Sequence, residues 1–451
     1  MASSQLTSAR FAAIETLHLL EKERIPVGVL FEKVLGEYPV QQNDRQLAHN
    51  IIHGVLRNRE SLDRMLQRLC NQPLKKLKPF VHQTLRVGLF QIMYLDRIPD
   101  SAAVNEAVKA VQAAKLPKRL HGFVNGVLRN SIRKREELQK LVNNPAKPIL
   151  NHPEWLITRW KKRFGSEKTV QICQQNSWQA VLSIQVNSCQ TTRDELLAMW
   201  TDCNVEARKC LHSETGIILS AFHGQISKLP GFAEGLFQVQ DQGAQLLPLL
   251  LLPIIPEGKY LDACAGAGGK TSMLIQLCDS AKATVSAVEP EAGRCKRFTE
   301  NMKRLHPQQD VPLFEGKLQD FEKANSDLFQ GILLDAPCSG TGVTGRHPDI
   351  RWNRRQEDLQ KYQQTQLTLL QSAAALLAPE GVLIYATCSL EEEENEQVIE
   401  AFLAKNPDFS LEHSKDQLPE SCGDFLQNDF FAPLPQKEMD GFFGARLRKS
   451  S

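Results

Sequence analysis

Two cysteines stand where apolar runs break into polar turns. "LLDAPCSGTG", residues 333–342, leads an apolar stretch into Asp335, Pro337 and Cys338. "LIYATCSLEEEENE", residues 383–396, repeats the arrangement with Cys388. A cysteine so placed can fill a core, ligate a metal or act as a nucleophile, and the last two need the thiolate. Cysteine is commonly buried as a small hydrophobe, so either one alone reads as packing. No CxxC pair or Cys/His cluster accompanies them, which leaves no basis for a structural zinc. Two at equivalent strand ends, one preceded by Asp-Ala-Pro, read instead as reactive thiols. After Cys388, Ser389 and Glu392 are spaced as a capping box for a following helix. A helix N-terminus there favours a thiolate, and the glutamate run opposes it.

A second constellation lies upstream. "LDACAGAGGKT", residues 261–271, sits between an apolar strand pattern and a helix pattern. Glycines there let a cofactor approach the backbone in front of a helix N-terminus. Glu289 ends the next strand pattern, where an acidic residue can accept from ribose hydroxyls. NAD, nucleotides and S-adenosylmethionine all use such a corner. The glycine spacing is not GxGxxG, and "GKT" lacks the Walker spacing.

These residues need elements to hold them. Beyond about residue 236 strand and helix patterns alternate, as in a doubly wound parallel sheet. Ligands of such sheets bind outside the carboxyl ends of the strands. Asp335, Cys338, Cys388 and the glycine loop should therefore converge on one mouth. "GFFGARLRK" near the end reads as an antiparallel edge strand. Residues 1–142 read as helices, with "GVLRN" recurring at 54–58 and 126–130. Residues 143–235 read as a small α/β connector entered through a proline-rich linker. The expected fold is thus an all-α N-terminal domain (1–142), an α/β connector (143–235) and an α/β Rossmann-like domain (236–451).

Charge follows the same division. Residues 1–145 carry 23 Lys and Arg against 13 Asp and Glu, while residues 237–451 carry 21 against 31. A basic N-terminal third suits a polyanion-binding module; a solvated basic face is the plainer reading. The 11 scattered cysteines suit a reducing, cytoplasmic setting. The longest apolar stretch, "LLPLLLLPIIP", is cut by prolines and far short of a bilayer span, and the first residues lack a signal peptide's pattern, so no membrane is expected.

"DAPCSGTG…RHPDIRW" with "YATCS", and an "AGGKT" loop upstream, resembles the RNA cytosine-5 methyltransferases. The helical N-terminus with its "GVLRN" phrases resembles a NusB-like RNA-binding domain, a combination similar to the branch that methylates one cytosine of bacterial 16S ribosomal RNA. The resemblance implies that Cys388 attacks C6 of the base, that Cys338 assists loss of the C5 proton and release, and that Asp335 bonds the ring edge beside the cofactor. It implies S-adenosylmethionine held by Cys264, Ala265, Gly266, Ala267, Gly268, Gly269, Lys270, Glu289 and Asp335. With the basic N-terminus it places Arg57, Arg129, Arg133 and Arg346 on RNA. The implied substrate is 16S ribosomal RNA not yet assembled into the mature subunit, the implied state a monomer, with no metal and no membrane.

The chain departs from the pattern at Ala267, where the family has proline, at Glu289, where Asp is commoner, and at Lys317, where an Asp is usual. Alternatives left open are a cytosine in transfer RNA or at another RNA site, and a non-catalytic RNA-binding antitermination or assembly factor. A NAD-dependent dehydrogenase has no use for two strand-end cysteines.

Overall fold

The computed structural model describes residues 8–220, 222 and 224–451. The first seven residues, read above for a targeting signal, lie outside it. The chain forms two compact units, one of residues up to 178 together with 344–355, the other of 179–343 and 356–451.

The first unit is helical. Pro79–Tyr94 runs through its centre, its first turn begun by a proline that needs no hydrogen-bonded N–H there. It is buried nearly all round, and Ala9–Leu20, Gln42–Arg57, Arg59–Leu69, Asp100–Ala113 and Lys118–Arg133 surround it. Each presents an apolar stripe to one core, including Leu17, Ile51, Leu62, Leu85, Val104 and Leu128. The two "GVLRN" phrases lie in the last turns of two of these helices but are not equivalent. A side chain at Gly54 would collide with the Phe90 ring, whereas nothing lies near Gly126.

The proline-rich linker is tied down. Asn151 accepts from Ser61 N at 3.0 Å and donates to Ser61 Oγ at 3.1 Å. The helices Glu154–Phe164 and Ser166–Ser177 follow it within this unit. Residues 344–355 also belong here, although they come from the middle of the catalytic sequence. Arg351, fully buried, donates to the carbonyls of Asn151, Asn176 and Thr344 at 3.0, 2.7 and 2.9 Å. Trp352 donates from Nε1 to the Leu56 carbonyl, and Asp349 accepts from Val27 N.

The second unit holds two sheets. The smaller joins β1 (Leu182–Val186), β2 (Ala207–Lys209), β3 (Gly216–Leu219) and β4 (Phe237–Val239), antiparallel in the order β2-β3-β1-β4. Leu196 and Trp200 of the helix Arg193–Asp202 cover its apolar face. The larger sheet contains β5 (Lys259–Asp262), β6 (Thr284–Glu289), β7 (Leu313–Glu315), β8 (Phe329–Asp335), β9 (Leu377–Thr387), β10 (Phe409–Glu412), β11 (Leu426–Gln427), β12 (Phe430–Phe431) and β13 (Phe443–Lys449). Its order is β11-β12-β13-β9-β8-β5-β6-β7, with β10 also on β13. The strands β5 to β9 run parallel, and β13 is antiparallel to β9. The antiparallel strand expected at the edge is present, but β10 and the β11–β12 hairpin extend the sheet past it. From β5 the chain moves outward through β6 to β7, then returns to the other side as β8 and β9. The sheet's switch point therefore falls between β5 and β8.

Among the described residues no helix is long and apolar enough to cross a membrane.

Candidate active site

Every expected catalytic residue stands at the carboxyl end of β8 or β9. Asp335 closes β8 opposite Ala386, one register step from Thr387, the last residue of β9. Parallel neighbours in this register bring the next turns side by side, and the sulfurs of Cys338 and Cys388 lie 3.3 Å apart. Both cysteines are half-buried. The hydrogen bond with Cys388 is the first cause that raises the Cys338 thiol well above its ordinary range. Burial and the charges of Cys388, Glu394 and Asp335 add to it. Cys338 thus holds its proton more tightly than a free thiol, and one S–H can bridge the two sulfurs. Among the described residues no group of His, Cys, Asp and Glu is arranged to hold a metal.

The glycine loop leaves β5 at Asp262. Gly266 and Gly268 adopt φ of 58° and 87°, which side chains rarely tolerate. A Cβ on Gly268 would also stand 2.7 Å from the Met302 side chain. The loop opens into the helix Gly269–Asp279, whose first turn carries Lys270. Lys270 Nζ reaches across the switch point to Asp335 Oδ2 at 2.5 Å. Burial works against its ammonium, but Asp335, with Cys388 and Asp262 adding, holds its pKa above the ordinary value. Ala267, where the rigid proline is missing, is fixed instead by a hydrogen bond from Asn301 to its carbonyl at 2.8 Å.

Glu289 ends β6 and is buried. Its Oε2 accepts from Gly266 N and its Oε1 from Glu291 N, each at 2.9 Å. A carboxylate oxygen has two lone-pair sites, so each keeps one acceptor position. A cavity of about 520 Å³ lies alongside, lined by Cys264, Pro290, Lys317, Leu318, Pro337 and Leu369 among others. An apolar slot beside an acidic strand end suits a flat heterocycle joined to a dihydroxy sugar. Lys317 is exposed at its rim.

Asp262 was missed in the sequence. It is buried, accepts from Thr271 at 2.7 Å through Oδ2, and its Oδ1 has no protein partner. Burial pushes its carboxyl up to about 6. Its position at the end of β5 matches that of Asp335 at the end of β8, which is the signal that could have found it.

The region after Cys388 differs from expectation. No helix starts at Ser389; a single 3-10 turn covers Glu392–Glu394 and the helix runs Glu396–Leu403. Ser389 forms no capping box with Glu392. Its Oγ accepts from Glu391 N at 3.1 Å and donates to Glu394 Oε2 at 2.5 Å. Cys388 therefore has no helix N-terminus beside it, and the buried Glu394 turns inward rather than to solvent.

The four arginines do not form one group. Arg129 and Arg133 are exposed on the helix Lys118–Arg133. Arg57 is not a free surface cation: it is half-buried and its Nε donates to the Gly345 carbonyl at 3.2 Å, because the face carrying Gly54 is packed. Arg346 lies half-buried in the 344–355 segment.

Comparison with known proteins agrees with this architecture. Residues 249–448 match the family described as 16S rRNA methyltransferase RsmB/F, residues 7–133 the NusB family, and residues 152–224 the RsmF/B-like ferredoxin-like domain. The chain is 32% identical to the probable ribosomal RNA small subunit methyltransferase B of Bacillus subtilis (strain 168), over 98% of this chain and 99% of that one. It is 37% identical to the ribosomal RNA small subunit methyltransferase B of Klebsiella pneumoniae (strain 342), over 91% of each. The crystal structure of PH0851 shares the fold, with a TM-score of 0.77 at 24% identity over 98% of both chains. Matched in this order and along its whole length, the chain belongs to the 16S rRNA methyltransferase RsmB/F family.

Proposed function

We propose that this enzyme transfers a methyl group from S-adenosylmethionine to C5 of a cytosine in 16S ribosomal RNA, through a covalent bond between Cys388 and C6 of the base. The observation that carries the reading is the pair of sulfurs 3.3 Å apart at the ends of adjacent parallel strands, beside the glycine loop. S-adenosylmethionine, when bound, supplies an electrophilic methyl group. The slot at Cys264, Pro290 and Leu318 would hold its adenine, the open acceptor positions of Glu289 its ribose hydroxyls, and the loop from Ala265 to Lys270 its polar end.

C5 of cytosine is a weak nucleophile. Addition of the Cys388 thiolate to C6 moves electron density to C5 and makes it reactive. In the resting site the two sulfurs are close enough for one thiol to donate to the other. Asp335, held by Lys270, presents its carboxylate where the ring edge would lie. Once Cys388 is bonded to C6, Cys338 is left to assist loss of the C5 proton, after which Cys388 is expelled. Arg129 and Arg133, both exposed, would contact RNA phosphates.

The test separates the two cysteines. Cys388→Ala should give neither product nor adduct. Cys338→Ala should attack and methylate but release its base slowly, so RNA should accumulate on the protein as a band that survives denaturation and disappears with nuclease. Adduct from Cys388→Ala and none from Cys338→Ala would reverse the roles. Full turnover in both would end the thiol mechanism.

A further inference from the structure

One carboxylate touches the residue that follows each cysteine. Glu394 is fully buried; in its run of four glutamates Glu391 is also buried, while Glu392 and Glu393 are not. Its Oε1 accepts from Ser339 N at 2.7 Å and from Gln366 Nε2 at 3.1 Å. Its Oε2 accepts from the hydroxyls of both Ser339 and Ser389. Ser339 follows Cys338 and Ser389 follows Cys388. The two seryl oxygens are themselves 3.1 Å apart. Gln366, buried on the helix Asp358–Ala375, also donates to the carbonyl of Pro337, on the other side of Cys338. Gly342 N donates to the Cys388 carbonyl at 2.9 Å. The neighbour Asn395 completes the arrangement, accepting from Thr387 Oγ1 at 2.6 Å and donating to the Ser389 carbonyl at 2.9 Å.

A buried carboxylate is costly to desolvate, and burial does push the Glu394 carboxyl up despite its four donors. Packing alone would be served as well by an apolar residue of similar size. What an apolar residue could not do is accept from two loops at once. Each loop leaves a different strand, and nothing in a parallel ladder fixes the distance between turns beyond its end. A two-oxygen acceptor between them does.

We propose that Glu394 is a positioning residue: by accepting from Ser339 and Ser389 together it sets the separation and mutual orientation of the Cys338 and Cys388 thiols. The inference rests on the thiol mechanism for its consequence in catalysis, but its geometric content is independent of that mechanism.

The spacing can be read without turnover. Diamide takes two electrons and two protons from a thiol pair as a disulfide closes between them. Sulfurs 3.3 Å apart need move only about 1.2 Å to reach bonding distance. Linkage of Cys338 to Cys388, followed by alkylation and peptide mass spectrometry, should be rapid in the parent protein. In Glu394→Gln it should slow at least fivefold, because the amide hydrogens must face either the two seryl hydroxyls, which then cannot both donate there, or the Ser339 and Gln366 N–H donors. The sign discriminates. Glu394 is among the charges that hold Cys338 protonated, so loss of its charge alone would ease thiolate formation and speed closure. Slower closure reports geometry.

Turnover supplies the second readout: kcat should fall tenfold or more, with KM for RNA and affinity for S-adenosylmethionine within about twofold of the parent. Closure at the parental rate or faster would overturn the proposal. Cofactor affinity, RNA affinity and kcat falling together would reduce Glu394 to a support of the fold, and would also overturn it. Should Glu394→Gln fail to fold, Ser389→Ala removes one of the bonds and leaves the carboxylate, and the same slowing is required of it. If Cys338→Ala and Cys388→Ala both turned over normally, the thiol mechanism would fall while the closure rate still decided the spacing.

Discussion

At the scale of single residues, the chemistry rests on side chains whose partners decide what they do. Glu289 is anchored by two backbone N–H groups and keeps one acceptor position on each oxygen. Glu289→Ala removes both the anchor of Gly266 and the acceptor proposed for the ribose. Hydrogen bonds to charged groups contribute about 1.5–3 kcal/mol, so affinity for S-adenosylmethionine should fall roughly tenfold to a hundredfold. Calorimetry on the two proteins measures it, and equal affinities would remove Glu289 from the cofactor site. Cys338, Cys388 and Asp335 were legible because an apolar strand pattern followed by a polar turn marks a strand end, and parallel strands end on the same side. Glu394 was not. Four consecutive glutamates look alike in sequence, and only the turn at Glu392–Glu394 carries Glu394 back to the two serines. The extra methylene at Glu289, by contrast, was legible and is used to reach back to the loop.

At the scale of elements, the segment 344–355 shows how much a short stretch can hold. Arg351 has no carboxylate beside its guanidinium in the hydrogen bonds described; its partners are three carbonyls from three parts of the unit. Arg351→Leu would leave those carbonyls buried and without their donor. Each such loss costs about 1–3 kcal/mol before relaxation, so the helical unit should lose about 2–4 kcal/mol. Denaturant unfolding followed by tryptophan fluorescence checks this, and an unchanged midpoint would mean water or another donor replaces the guanidinium. The helices themselves were readable from their periodicity. Arg57 and Arg129 sit differently for a physical reason: "GVLRN" has the same pattern whether its glycine is packed or open. At 54–58 the glycine lets Phe90 close over the helix and Arg57 turns to Gly345, while at 126–130 Gly126 and Arg129 are exposed and only Val127 and Leu128 enter the core.

At the scale of the whole molecule, each unit contains histidines kept neutral by burial. In the helical unit, burial first and then neighbouring cations push His53 down to about 2, and burial pushes His152 well below its ordinary value. In the other unit burial pushes His306 down to about 4, where its Nε2 meets Ser272 Oγ at 2.8 Å. In an unfolded chain these groups take a proton near pH 6.5. Between that pH and the folded values the unfolded state binds more protons, so stability is complete above pH 6.5 and declines as pH falls. His306 alone accounts for about 2 kcal/mol by pH 5. Denaturant midpoints at pH 8 and pH 5 should differ accordingly, and His306→Gln should flatten the decline of its unit. A pH-independent midpoint would contradict the burial of these rings. The order of helical, mixed and alternating segments was legible in composition and periodicity; the return of 344–355 to the helical unit was not, because no shift in composition marks it. That return has an evolutionary consequence. Gene fusion and exchange usually move a contiguous stretch of DNA, yet here the N-terminal unit is encoded in two pieces, with twelve codons stranded far downstream between those for Cys338 and Cys388. A recombination event that swapped only the first piece would deliver a unit without Arg351 and Trp352 matched to it. Lineages should therefore pass the two pieces on together, and changes at Leu56 or Asn151 should be inherited with changes near 350.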